Sequence, residues 1–357
     1  MKRPALFQGW MHRERPTLGL DIGSHSIKLV EFAGGPSNRT LRRIGRAIVP
    51  PGAIVDGSIR DGEAISGTLK GLLKNIQPKL RDATISISGY SVIVKKVALP
   101  YTDEKEIEAN LVLEAEKYVP FEIEDVYIDF HLLSGAAEGR PGSEIFLVAA
   151  KREVVDSYAA LVQSVGLAPA VVDVDVFALG NAFEGAYEAT SGTVVLVDIG
   201  AQKTNFNIVC EGTSIFTRDM AIGGNQLTEA IHEATGLDLS EAERVKIAGT
   251  DDTALVREIS ACCTETCTQW GAEIKKAIDF HNANAAPSER PRHIILSGGA
   301  ALMKGLDGII EKETELPVRI FNPFARYSID NGIDPDYVQE IAPQMAIATG
   351  LALRMKK

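Results

Sequence analysis

Asp21 and Asp198 each end an apolar run and open a glycine-bearing turn, first in Leu18-Gly19-Leu20-Asp21-Ile22-Gly23-Ser24 and again in Leu196-Val197-Asp198-Ile199-Gly200-Ala201. Small side chains in such turns leave backbone N–H groups uncovered, and converging N–H groups cradle phosphate oxygens. Gly23, Ser24 and Ser26 offer these donors in the first turn, and Lys28 adds a point charge. Gly200, Ala201 and the Thr204 hydroxyl offer them in the second. A carboxylate repels phosphate, so Asp21 and Asp198 suit a different task. They can hold Mg2+, which keeps several waters and takes one or two carboxylates besides the phosphates. A third turn, Leu296-Ser297-Gly298-Gly299-Ala300, can hold the rest of a nucleotide. One such turn occurs at many strand ends; three together point to an ATP site split between two lobes.

The elements that carry these turns follow from hydrophobic periodicity. Alternation over 17–32 predicts two strands around Gly23-Ser24-His25, and a third strand spans 41–49, so the first lobe opens as a β-meander. Residues 193–209 and 213–221 repeat that opening, and strand 293–296 leads into the third turn. The repeat is much longer than 50 residues, which indicates a duplicated α/β core rather than a solenoid. Helices are predicted over 62–75, 152–165, 226–235, 241–247, 252–283 and 342–353. Between the two meanders, 89–168 holds its own strands (91–99, 126–132, 144–150) and a helix capped by Asp103, with a loop at 134–143. That is enough for a small inserted subdomain.

Composition excludes several classes. The chain has 357 residues, 45% of them hydrophobic, so it can bury about two domains' worth of core. Its net charge of −11 opposes nucleic-acid binding, which needs a basic face. No stretch approaches the roughly 20 apolar residues of a membrane-spanning helix. Residues 1–16 mix Phe7, Trp10 and Met11 with four basic side chains and read as a flexible tail that can touch an anionic surface. The four cysteines (Cys210, Cys262, Cys263, Cys267) lack paired CxxC spacing, and Cys263 and Cys267 read as buried apolar thiols in a reduced compartment. The six histidines show no HExxH spacing, and no serine lies in a GxSxG elbow.

Taken in order, Asp21-x-Gly-Ser-x-Ser-x-Lys28, Asp198-Ile-Gly-Ala-x-x-Thr204 and Ser297-Gly-Gly-Ala-x-x-Met-x-Gly305 resemble the phosphate-one, phosphate-two and adenosine motifs of the actin-like ATPase superfamily. Within it, Ile222-Gly-Gly-Asn-Gln-Leu-Thr228, Glu114-Ala-Glu-Lys-Tyr-Val-Pro-Phe121 and Ala342-Pro-Gln-Met-Ala-Ile-Ala-Thr-Gly-Leu-Ala352 resemble the PilM family of type IV pilus assembly. The resemblance covers nearly everything after residue 16.

It implies an α/β actin-like fold of two lobes with duplicated β-meander cores. The implied divisions are a tail (1–16), the first lobe (17–88), an inserted partner-binding subdomain (89–168), a connecting helix of the first lobe (169–190), the second lobe (191–341) and a terminal helix returning to the first lobe (342–357). It further implies ATP and Mg2+ as cofactors, with ATP bound by Gly23, Ser24, Ser26, Lys28, Gly200, Ala201, Thr204, Glu243, Lys246, Gly298, Gly299 and Ala300, and the metal by Asp21 and Asp198. Asp175 falls where the superfamily presents Glu or Gln to the attacking water; as a helix-start acid it has an equally good structural reading. Glu243 and Lys246 match the helix that approaches ribose and adenine, although Ser240-Glu241-Ala242-Glu243 is also a capping box. Gly223 and Gly224 read as a tight entry into a helix capped by Asn225.

The implied function is a cytoplasmic, ATP-binding scaffold with slow or regulatory hydrolysis. It would sit beside the inner membrane by recruiting the N-terminal peptide of a PilN-like membrane protein, alongside other pilus assembly proteins. Self-association stays open. Two alternatives stand beside it: a small-molecule kinase of the same superfamily, and an FtsA-like cell-division adaptor, whose chains usually run on to an amphipathic membrane helix where this one stops at Lys357.

Overall fold

Leu18–Ile22 is buried along its whole length, because it forms the centre of a sheet covered on both faces. The computed structural model describes residues 15–35, 37–134, 142–187 and 192–356, and this sheet has six strands. Leu18–Ile22, Ser26–Ala33 and Thr40–Ile48 make the antiparallel meander; Asp82–Ile87 and Ala168–Val174 extend it in parallel on one side, and Ser328–Ile329 closes the other. A second sheet of five strands repeats the plan. Thr193–Ile199, Thr204–Cys210 and Thr213–Met220 form its meander, with Ile294–Ser297 and Val318–Ile320 parallel to the first of them. Both sheets therefore deliver their turns at the carboxyl ends of parallel strands, where open α/β sheets bind ligands.

Helices cover the faces. Gly62–Ile76, capped by Asp61, sends Ile65, Leu69 and Leu72 into the core under the first sheet. Arg152–Ser164, counted above with the insertion, adds Val154, Tyr158, Leu161 and Val162 to that same core. The outer face of the second sheet is closed by Gly224–Thr235, Leu239–Ala248, Thr253–Asn282 and Leu306–Thr314 around Phe206 and Trp270. Asp175–Ala186 and Ala346–Leu353 fill the space between the sheets. They cross closely: a Cβ on Gly350 would lie 1.7 Å from the Ala178 carbonyl oxygen, and one on Gly19 2.1 Å from that of Ala348. The inserted region builds a separate sheet, Val92–Leu99, Ser143–Lys151 and Val126–Ser134 in spatial order, packed on Glu104–Ala115 through Val97, Leu99, Ile107, Leu111, Ile145 and Leu147.

Several elements differ from the sequence expectation. The stretch 169–190, read as a helix, is a strand through Val174 and becomes helical only at Asp175, because a short apolar run is too brief to show whether it is strand or helix. The helix expected over 342–353 opens with a 3-10 turn, Ala342–Met345, where Pro343 has no N–H to give an α-helix. Leu306–Thr314, Pro335–Ile341 and the two short strands Val318–Ile320 and Ser328–Ile329 were not anticipated. Of the tail, residues 1–14 lie outside the described residues, as do 135–141 of the expected loop and Lys357; Arg15–Pro16 pairs antiparallel with Met355–Lys356.

Candidate functional site: a cleft between the two lobes

The first turn is closed by the Gly23 N–H donating to the Ser26 carbonyl at 3.2 Å, and Asp21, one residue before the end of its strand, sits beneath it. The Lys28 ammonium donates to Asp21 Oδ2 at 3.0 Å from the neighbouring strand. Asp21 is buried, and that burial raises its pKa above the ordinary carboxylate range although Lys28 pulls the other way.

In the second lobe, Thr193–Ile199 and Ile294–Ser297 lie side by side in parallel with Asp198 opposite Ser297, so the second and third turns are neighbours. The Ser297 hydroxyl donates to Asp198 Oδ2 at 2.8 Å. Burial pushes Asp198 up to about 6, only partly offset by that hydroxyl. Gly298, the hinge of the third turn, has φ +89°, and a Cβ there would meet the Ile199 carbonyl oxygen at 2.3 Å; only glycine fits. Gly299 and Ala300 begin the short 3-10 turn that follows.

The helix expected to carry Asn225 as its cap begins differently. Gly223 occupies the cap position, and the Gly224 and Asn225 N–H groups donate to the Gly200 and Ala201 carbonyls at 2.9 and 2.8 Å. The helix start thus anchors the second turn. Thr204 does not join the turn's donors: its hydroxyl is buried and donates to the Ile222 carbonyl at 2.9 Å. The proposed capping box is also replaced, because Asp238 caps Leu239–Ala248 by accepting the Glu241 N–H at 2.8 Å. Glu243 is released by this. It pairs with Lys246 at 2.5 Å, accepts the Thr228 hydroxyl, and faces His25 of the first turn at 3.9 Å across the cleft. Burial lowers the His25 pKa, against the pull of Glu243.

Asp175 is brought to the same cleft as the first residue of its helix, and two groups already hold its Oδ2. The Ser88 hydroxyl donates at 2.7 Å and the Lys203 ammonium at 2.9 Å. Burial alone would raise this carboxyl, but Lys203 and the serine outweigh it and keep it below the usual range. Lys203 donates also to Asn205 Oδ1 at 3.3 Å and lies 4.0 Å from Asp219, which in turn accepts the Gly89 N–H at 3.0 Å. Gln202 crosses between lobes as well: its amide donates to the Ile54 carbonyl and accepts the Asp56 N–H, both at 3.2 Å. Sequence reasoning missed Gln202, Lys203, Ser88 and Asp219. The only local signal was that residues 202 and 203 fall inside the second phosphate motif.

Part of this set lines one cavity of about 640 Å3, whereas Asp198, the third turn and the Glu243–Lys246 pair are not among its lining residues. At one end are Asp21, Gly23, Ser24, Asp175, Gln202 and Lys203; the other runs along Ile93, Val94, Pro120 and Phe121 of the inserted region. Among the described residues, no group of three or more His, Cys, Asp or Glu side chains is placed to hold a metal ion unaided. Cys267 is buried in the second core, whereas Cys262 and Cys263 are partly exposed, a correction to the reading of Cys263.

Known proteins share this fold. The solved structure described as the PilM-PilN type IV pilus biogenesis complex contains a chain that superposes with a TM-score of 0.85 at 28% identity, covering 95% of this chain and 98% of that one. Ethanolamine utilization protein EutJ from Carboxydothermus hydrogenoformans gives 0.59 at 16% identity, covering 94% and 89%. MreB 5 of Spiroplasma citri, bound to AMPPNP, gives 0.52 at 15%, covering 94% of each chain. The cell division protein FtsA of Bacillus subtilis is 23% identical over an alignment of 354 positions that covers 88% of this chain and 80% of that protein. These more distant likenesses establish the two-lobed actin-like fold. The family model for the type IV pilus assembly protein PilM matches residues 19–356, nearly the whole chain, and this chain therefore belongs to the PilM family.

Proposed function

We propose that this chain is a cytoplasmic, ATP-binding scaffold of type IV pilus assembly that recruits the N-terminal segment of a PilN-like inner-membrane protein. The observation that carries this reading is the continuity of the cavity, which runs from Gly23 and Ser24 of the first turn and Gln202 and Lys203 of the second to Pro120 and Phe121 of the inserted region. Nucleotide and partner would then share one wall. The nucleotide reading is supported by the AMPPNP-bound fold relative and by the three turns meeting at strand ends.

The residues suit Mg2+ as a companion of the phosphates. Asp198 is a buried carboxylate with a hydroxyl partner and a raised pKa, and a divalent cation nearby would restore its charge. Phosphates and waters would supply the remaining positions. When bound, ATP and its metal bring negative phosphates and a matching cation to a cleft whose two lobes each contribute donors. This chain's own part is to hold them: Lys28 from the first lobe, the turn around Gly200 and the Glu243–Lys246 pair from the second.

For the partner, Val92–Leu99 is an edge strand of the inserted sheet and Ala168–Val174 an edge of the first, and side chains at or following both line the groove. An extended peptide can pair with such an edge while its apolar side chains enter the cavity. No helix among the described residues is long and apolar enough to cross a membrane, which fits attachment through a partner. The test is titration of a PilN-type N-terminal peptide against the wild-type protein and Val94→Glu and Phe121→Asp variants. Loss of tenfold or more in affinity, with circular dichroism unchanged, is expected; equal affinity would place the partner elsewhere.

A further inference from the structure

Lys203 belongs to the second turn yet its side chain reaches the first lobe, where it meets Asp175. A lysine ammonium has three N–H donors. Two are used, on Asp175 Oδ2 at 2.9 Å and Asn205 Oδ1 at 3.3 Å; Asp219, at 4.0 Å, is beyond hydrogen-bond reach. The side chain is 27% exposed and lines the cavity together with Gly23 and Ser24 of the first turn. One donor of this partly exposed cation is thus left without an acceptor among the described residues, on a side chain that lines the cavity with the first turn. Arg218 also lines the cavity, and Lys28, on the first-turn side, holds Asp21 at 3.0 Å.

We propose that Lys203 is the residue by which this cleft distinguishes a nucleoside triphosphate from a diphosphate. The inference rests on the nucleotide reading of the cleft and adds its specificity determinant. The physical basis is charge. Asp21, Asp175 and Asp219 line the cavity and concentrate negative charge there, which disfavours each added phosphate. The terminal phosphate of a triphosphate adds the most, and it is accepted only if a cation can turn to it. Lys203 can do so without leaving Asp175, because its third donor is free of both hydrogen bonds. A diphosphate lacks the group that would use this donor.

The test compares ATP and ADP affinities by calorimetry for the wild type, Lys203→Arg, Lys203→Met, and the double variant Lys203→Met with Asp175→Asn. The double variant matters because Lys203→Met alone strands the Asp175 carboxylate, which could itself repel phosphate or unfold the site; pairing it with Asn removes both charges. The expected result is that Lys203→Met and the double variant lose about 10- to 100-fold of the ATP-over-ADP preference, while Lys203→Arg keeps it. Recovery of the preference in the double variant would overturn the proposal, since Lys203 would then merely neutralise Asp175. An unchanged preference in both methionine variants would overturn it too. Failure of the wild type to bind either nucleotide would reject the nucleotide reading itself, and this inference with it.

Discussion

Residue by residue, the cleft is a set of buried and partly buried charges, most of them held in pairs. Asp21 has Lys28, Asp175 has Lys203, Glu243 has Lys246, and Asp198 has only a hydroxyl. Breaking such a pair leaves a stranded charge, so single substitutions overstate the worth of the contact. Asp21→Asn and Lys28→Met are each expected to weaken Mg-ATP binding, by roughly 10- to 150-fold if each removes a charge-assisted bond worth about 1.5–3 kcal/mol. The double variant should lose less than the two combined, because the two residues also serve each other. Calorimetric titration of the three variants checks this; strict additivity would show that the Asp21–Lys28 bond has no part in shaping the site.

At the scale of elements, the site depends on how closely two helices and several turns can approach. Asp175–Ala186 carries the acid at its start, and Ala346–Leu353 holds that helix against the first sheet through glycines with no room for a side chain. Gly350→Val is therefore expected to cost about 3 kcal/mol or more, at the upper end for overpacking, since the obstacle is backbone and cannot turn aside. Gly308, in Leu306–Thr314, has no atom within 4 Å of where a Cβ would be. Gly308→Ala should be neutral to stabilising, by about 0.4–1 kcal/mol, through the lost freedom of the unfolded chain. Urea unfolding midpoints of the two variants give the contrast, and a Gly350→Val protein as stable as wild type would refute the close crossing.

For the whole molecule, the lobes are tied on the phosphate side by Gln202 to Ile54 and Asp56, by Lys203 to Asp175, and by Asp219 to Gly89. Gly89 lies three residues before the strand that edges the proposed partner groove, and its carbonyl accepts the Val92 N–H at 3.0 Å. A ligand that repositions the lobes must therefore also load the groove. Coupling of this kind is reciprocal and is typically 5- to 150-fold. The affinity of the PilN-type peptide is expected to change by several-fold or more when Mg-ATP is added, and Gln202→Ala, which removes one tie, should reduce that change. Peptide titrations with and without nucleotide measure it; a ratio of one in the wild type would show that the two sites, though they share a cavity, are independent.

The three glycine turns, the two meanders and most helices were legible in the sequence because each rests on local chemistry: a glycine at a tight bend, apolar spacing, a capping aspartate at Asp61 or Asp103. The strand Ala168–Val174 was not, since so short an apolar run shows no alternation to tell strand from helix. Nor were the partners within the cleft. Asp175 meets Ser88 from 87 residues away and Lys203 from 28; Asp198 meets Ser297 across 99. Those distances close only when parallel strands of two sheets align and the lobes dock. For the same reason the local capping box at Ser240 was mistaken: Asp238 took the cap, and the docked first turn left Glu243 facing His25. By itself the sequence determined that three glycine-bearing turns stand at strand ends. The tertiary structure decided which charges face each other across them, because pairing over long separations is set by sheet register and lobe packing.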